Sequence, residues 1–60
     1  MTCNEFANGW SVSFERLFPS GMYMTIVRDG RGEIHDKVRC DDYRTAREYH
    51  RAFKAIAKAA

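Results

Sequence analysis

No stretch of this 60-residue sequence is apolar for long enough to cross a membrane, and none repeats or falls into low complexity. A membrane partner, a solenoid and a disordered tract are therefore not expected. Cysteine is scarce: Cys3 and Cys40 stand alone, without a CxxC pair. A secreted domain this small normally carries a framework of several disulfides, so two reduced thiols are the expected state, a single disulfide being the alternative. Too few ligands accompany them for a metal site. The opening MTCNEFANG has no basic segment followed by an apolar one, so no signal peptide is expected and the cytoplasm is the expected compartment. Proline occurs once, at Pro19, and glycine only four times, so each marks a turn.

A catalytic set is missing as well. His35 and His50 have no activated nucleophile for company. Cys40 and His35 differ in parity along one strand and so face opposite sides. Asp36, Asp41 and Asp42 lack the spacing of a calcium loop, and no helix follows DGRG to make it a phosphate loop. Neither enzyme activity nor a cofactor is expected. The net charge is only +2, and it is unevenly placed. Residues 1–22 carry Glu5, Glu15 and Arg16, whereas residues 41–60 carry Arg44, Arg47, Arg51, Lys54 and Lys58 against Asp41, Asp42 and Glu48. The basic character lies towards the C-terminal end.

What the sequence does hold is aromatic rings and periodicity. Trp10, three Tyr and four Phe are present. Each large ring can bury on the order of 150–250 Å², enough to give so short a chain a core. From Thr45 to Ala60 the residues read as a helix. Tyr49, Phe53, Ile56 and Ala60 share one side, and Arg44, Arg47, Arg51, Lys54 and Lys58 the opposite side. Thr45 with Glu48 three residues on is the expected capping box.

Ahead of the helix the period is two. Trp10, Val12 and Phe14 alternate with Ser11, Ser13 and Glu15, a strand whose buried register continues to Phe18. Phe18-Pro19-Ser20-Gly21 is a turn. Residues 22–28 form a central strand, apolar on both faces, with Met24 and Ile26 assigned to the core. Asp29-Gly30 signals a hairpin, with Gly32 beside it for a bulge. In the last strand, 33–40, Ile34, Val38 and Cys40 alternate with His35, Lys37 and Arg39, and Asp36 breaks the pattern. The expected architecture is α+β. Residues 1–8 are a loosely attached tail; residues 9–60 are one βββα domain, a three-stranded antiparallel meander with one C-terminal helix packed on one face.

Two surfaces are then open to a partner. The outward sheet face is expected to present Tyr23, His35, Lys37 and Arg39 among small hydroxyls, a mixture suited to reading a groove. The helix is expected to present Arg44, Arg47, Arg51 and Lys54, a one-sided charge that something acidic would neutralise. The order strand–strand–strand–helix, with the hydroxyl-capped RTAREYHRAF, resembles the arm-type DNA-binding domains of tyrosine integrases and the related AP2-like domains. That resemblance implies a sheet that reads duplex DNA. A compact sheet-plus-helix module without chemistry also resembles, in kind, the small accessory proteins of phages and mobile elements, anti-CRISPR proteins among them. This second resemblance implies an inhibitor in a bacterial host cytoplasm that occludes a surface of a nuclease or effector complex. It is the preferred expectation, with the DNA reader as the alternative. Being basic, the chain would bind a protein surface and would not mimic DNA. A monomer or weak homodimer is expected, because an open sheet leaves two edges unpaired.

Overall fold

The computed structural model describes residues 2–60. Strands β1 (Thr2–Glu5), β2 (Ser11–Arg16), β3 (Tyr23–Arg28) and β4 (Ile34–Cys40) form one antiparallel sheet in sequence order, and helix α1 (Tyr43–Ala59) follows. The α+β meander with a C-terminal helix is as expected, but the sheet has four strands and not three. Thr2–Glu5, read as tail, pairs with β2, with Cys3 opposite Ser13 and Asn4 opposite Val12. Its sequence carries no apolar alternation because it needs none. α1 packs on β2, β3 and β4 and not on β1, so β1 is held by its backbone ladder and not by a buried face.

The β2–β3 connection decides which face of β3 is buried. Arg16 pairs with Tyr23 across the six residues between them, which sets Val12 opposite Val27 and Phe14 opposite Thr25. Tyr23, Thr25 and Val27 therefore share the helix side with Val12 and Phe14. Met24 and Ile26, assigned to the core on sequence, lie on the open face. Moving the pairing by one residue would exchange the two sets, and an apolar pattern on both faces could not distinguish them. Within the turn, Leu17 N–H donates to Met22 O and Gly21 N–H to Leu17 O. Phe18 does not continue the buried register: it is 82% exposed beyond the end of the strand, with the Arg16 guanidinium over its ring.

The next turn is a three-residue loop closed by Asp29 and Glu33. Gly32, not Gly30, takes the left-handed conformation, at φ +86°. Asp29 Oδ1 accepts from the N–H groups of Arg31 and Glu33. Past this turn the ladder slips by one residue: Arg28 pairs with Ile34, but Val27 pairs with Asp36. His35 is the extra residue of a β-bulge, which reverses the parity expected for Ile34 and His35. Ile34 goes to the open face and is 47% exposed. Asp36 is exposed on the outer strand, where its Oδ1 accepts from the Lys37 N–H. A bulge and a charge on the covered side are two ways an edge strand resists pairing with another chain.

Helix α1 begins three residues earlier than the Thr45 capping box required. Asp42 is the N-cap, its Oδ2 accepting from Thr45 N–H at 3.0 Å and Thr45 Oγ1 at 2.8 Å. Those bonds, the hydroxyl first, hold its carboxyl below the ordinary value. The far end is secured from a distance. Asn8, in the β1–β2 turn, donates through Nδ2 to Ala60 O and to Ala57 O, which also accepts from the Ala60 N–H that caps the helix. Its Oδ1 accepts from the Trp10 N–H.

The buried helix residues are Ala46, His50, Phe53 and Ala57, not the expected Tyr49, Phe53, Ile56 and Ala60. At 100° per residue the true stripe is rotated by about 60° from the predicted one. Only Phe53 is common to both. Ala46 and Ala57 let the helix axis approach the sheet closely, and Val12, Val27, Phe53 and Ala57 form the core, with Phe6, Trp10 and Val38 packed around it. Tyr49 and Ile56 are left 43% and 40% exposed.

The two stripes predict different stabilities. Phe53→Ala is expected to cost about 3–5 kcal/mol, enough to unfold most of so small a domain. Ile56→Ala is expected to cost no more than about 1 kcal/mol. Urea unfolding followed by the single Trp10 measures both, and the opposite order would restore the predicted stripe.

Candidate functional site

The bulge and the turn length divide the eight residues expected to contact a partner. Tyr23 faces the helix and not the solvent. It is half-buried in a cluster of rings, 5.8 Å from Phe14 and 5.4 Å from Tyr43 between centroids. His35 leaves the Lys37 and Arg39 face because the bulge turns it over, and its ring lies 5.1 Å from Trp10. Lys37 and Arg39 are exposed on the open face as expected.

The ladder sets the open face out in rows. Glu15, Met24 and Arg39 form one row; Cys3, Ser13, Ile26 and Lys37 form the next; Glu5, Ser11, Arg28 and Ile34 form the third. Met24 and Ile26, half-buried, occupy the middle. Cations flank them on the β4 side and carboxylates on the β1–β2 side. The sequence reading missed Met24, Ile26 and Arg28 here. The signal that would have found them is the parity of the turn.

The helix cations divide as well. Arg44, Arg47 and Arg51 surround Tyr43 and Glu48 in a shallow depression on the outer side. With the helix rotated, Arg47 and Lys54 also come round to the flank that faces β1. Among the described residues only Arg31 makes ion pairs, with Asp29 and Glu33 in the β3–β4 turn. The other Arg and Lys side chains have no carboxylate partner among the described residues.

Thr25 is fully buried at the centre of the sheet beneath His50, itself 7% exposed. Thr25 Oγ1 donates to Ser13 O at 2.9 Å and lies 3.4 Å from His50 Nδ1. Since the hydroxyl proton is committed to Ser13, Nδ1 must carry the proton of the second bond, and it is in the neutral form of the ring that Nε2 is bare. A hydroxyl buried in this way, with its proton engaged, is a structural group. The two cysteines lie on opposite outer strands and opposite faces, three strand spacings (roughly 14 Å) apart across the sheet and further displaced along it, and both are free. No group of three or more potential metal ligands occurs among the described residues, and no helix is long and apolar enough to cross a membrane.

No family model matches the chain, and no curated protein or solved structure matches it significantly.

Burial, then Lys54 and Arg47, push the His50 pKa below its ordinary value of 6.5. A folded-state pKa depressed in this way means that the unfolded chain binds the proton more readily. The stability His50 protects is therefore complete above pH 6.5 and is lost as pH falls through the folded value. The carboxyls of Asp29 and Asp42, lowered by hydrogen bonds, lose their contribution only below pH 3.8. Urea midpoints measured between about pH 5 and 8 are expected to fall on the acid side in the wild type and to flatten in His50→Gln.

Proposed function

We propose that the chain is a non-enzymatic binding protein that covers a surface of a partner protein with the open face of its sheet. The partner class suggested by its likeness to phage accessory proteins is a nuclease or effector complex of bacterial defence, inhibited by occlusion. One observation carries this reading. Met24 and Ile26 lie half-buried at the centre of an uncovered face, with Lys37 and Arg39 on the β4 side, Glu5 and Glu15 on the β1–β2 side, and Arg28 at the end of their own strand. An apolar centre inside a rim of mixed charge is the composition of a protein–protein interface, where the centre supplies the burial and the rim the orientation. A groove-reading sheet needs cations spread across it, because phosphate contacts set the register. Glu5 and Glu15 would repel a phosphate backbone over half of this face.

The alternative, duplex DNA read by the sheet, is favoured by Lys37 and Arg39 alone. Affinity for a random duplex at low and at moderate salt separates the two. No retention even at low salt is expected. Tight, salt-steep binding that is lost in Lys37→Ala/Arg39→Ala would overturn the protein-binding reading. On the positive side, a partner captured by the wild type is expected to be lost by Met24→Thr/Ile26→Thr, a pair that keeps strand propensity while removing the apolar centre. Equal capture by a variant with unchanged Trp10 fluorescence would rule out this face.

A further inference from the structure

Helix α1 covers three of the four strands, and β1 projects beyond it. Between β1 and the near flank of the helix lies a cleft of about 260 Å³, with Phe14 in its wall. Thr2 and Asn4 line it from β1; Tyr43, Arg47, His50 and Lys54 line it from α1. The cleft exists because two features unseen in the sequence coincide. The extra strand supplies one wall, and the rotation of the helix brings Arg47 and Lys54 down to form the other.

Among the described residues its lining holds two permanent cations and no carboxylate. Neither cation has an acidic partner among the described residues. Arg47 is held in place: its Nη1 donates to Tyr43 Oη at 2.9 Å, and its guanidinium lies 5.7 Å from the centre of that ring. Lys54 and Arg47 both disfavour the charged form of His50, so their positive charges converge on the same space. His50 Nε2 has no hydrogen-bond partner among the described residues, its Nδ1 being engaged by Thr25. Asn4 adds a second unpaired group: its side-chain oxygen is buried without a hydrogen-bond partner. Leaving such an atom unpaired costs free energy that a ligand can recover. A half-turn of the amide offers the ligand a donor in place of an acceptor at that position.

These groups describe an oxyanion with more than two oxygens. Two cations and a threonine hydroxyl can donate to three of them, and a bare imidazole nitrogen can accept from a fourth that is protonated. A carboxylate lacks the oxygens to use them all. We infer that the cleft between β1 and α1 binds a phosphate group, as inorganic phosphate or a small monoester. Arg47 and Lys54 neutralise it, Thr2 and Asn4 supply polar contacts, and His50 Nε2 accepts the P–O–H proton of the monoanion. A substituent on the ester would lie against Phe14 and Tyr43. This site is on the helix side of the sheet and does not depend on the open face or its partner.

The test is a titration of the full chain by amide and imidazole NMR at constant ionic strength, with inorganic phosphate in one arm and phenyl phosphate in the other. Saturable shifts at Asn4, Arg47, His50 and Lys54 are expected in at least one arm. Saturation by phenyl phosphate alone assigns the site to monoesters, and equal saturation by both assigns it to the phosphate group itself. Arg47→Ala/Lys54→Ala is expected to weaken binding by about tenfold or more, as loss of charge-assisted hydrogen bonds does. Arg44→Ala/Arg51→Ala, on the same helix but outside the cleft, is expected to leave it unchanged. Shifts that stay linear in both arms, or equal weakening in both variants, would reduce the effect to diffuse attraction by a basic helix and overturn the inference. Unchanged Trp10 fluorescence establishes that each variant is folded.

Discussion

The close seating of α1 on the sheet is the constraint on which the other features depend. Ala46 and Ala57 meet the sheet with almost no exposure, and His50 and Phe53 are the large side chains placed between them. Small residues bring the helix backbone near Val12, Thr25 and Val27, so that a core of few residues is still close-packed. Domains of this length bury a smaller fraction of their surface than larger ones and have little stability to spare. A helix seated on Tyr49 and Ile56 would stand further off and leave the centre of the sheet uncovered.

Close seating brings polar groups inside with the apolar ones, and those beneath and at the ends of the helix are answered by specific bonds. Thr25 is spent on Ser13 O and His50; Asn8 closes the C-terminal carbonyls of the helix; Asp42 closes its N-terminus. Asn8 is the longest-range of these, joining the first turn of the chain to its last residues. The helix is thus fixed at both ends, and its rotation about its own axis is fixed in the middle by the Thr25–His50 contact.

That rotation distributes the surface chemistry. Turning the helix by about 60° lifts Tyr49 and Ile56 towards solvent on one flank and lowers Arg47 and Lys54 towards β1 on the other. On the opposite side of the sheet, the parity of the β2–β3 turn sends Met24 and Ile26 outward and Tyr23 inward. The basic groups therefore separate: Arg28, Lys37 and Arg39 share the open face with Met24 and Ile26, while Arg47 and Lys54 line a cleft. Arg44 and Arg51 remain exposed on the outer side of the helix.

The sequence by itself determined the strand–turn–strand order from Trp10 to Cys40, the helix over the last third of the chain, and the exposure of Lys37, Arg39 and Arg44. Those follow from local periodicity and turn chemistry, which neighbouring residues settle among themselves. It did not reveal β1, whose four residues are held by backbone bonds and show no apolar rhythm. Nor did it decide the buried face of β3 or the buried stripe of α1, because each offered two apolar faces of similar quality. Those choices turn on the length of one loop, on a bulge at His35 and on how near two alanines let the helix come. All three are relations between segments distant in the chain, and only the tertiary structure decides them. The placement of Tyr23, His35, Met24, Ile26 and Asn4 differs from the sequence reading because it depends on those relations.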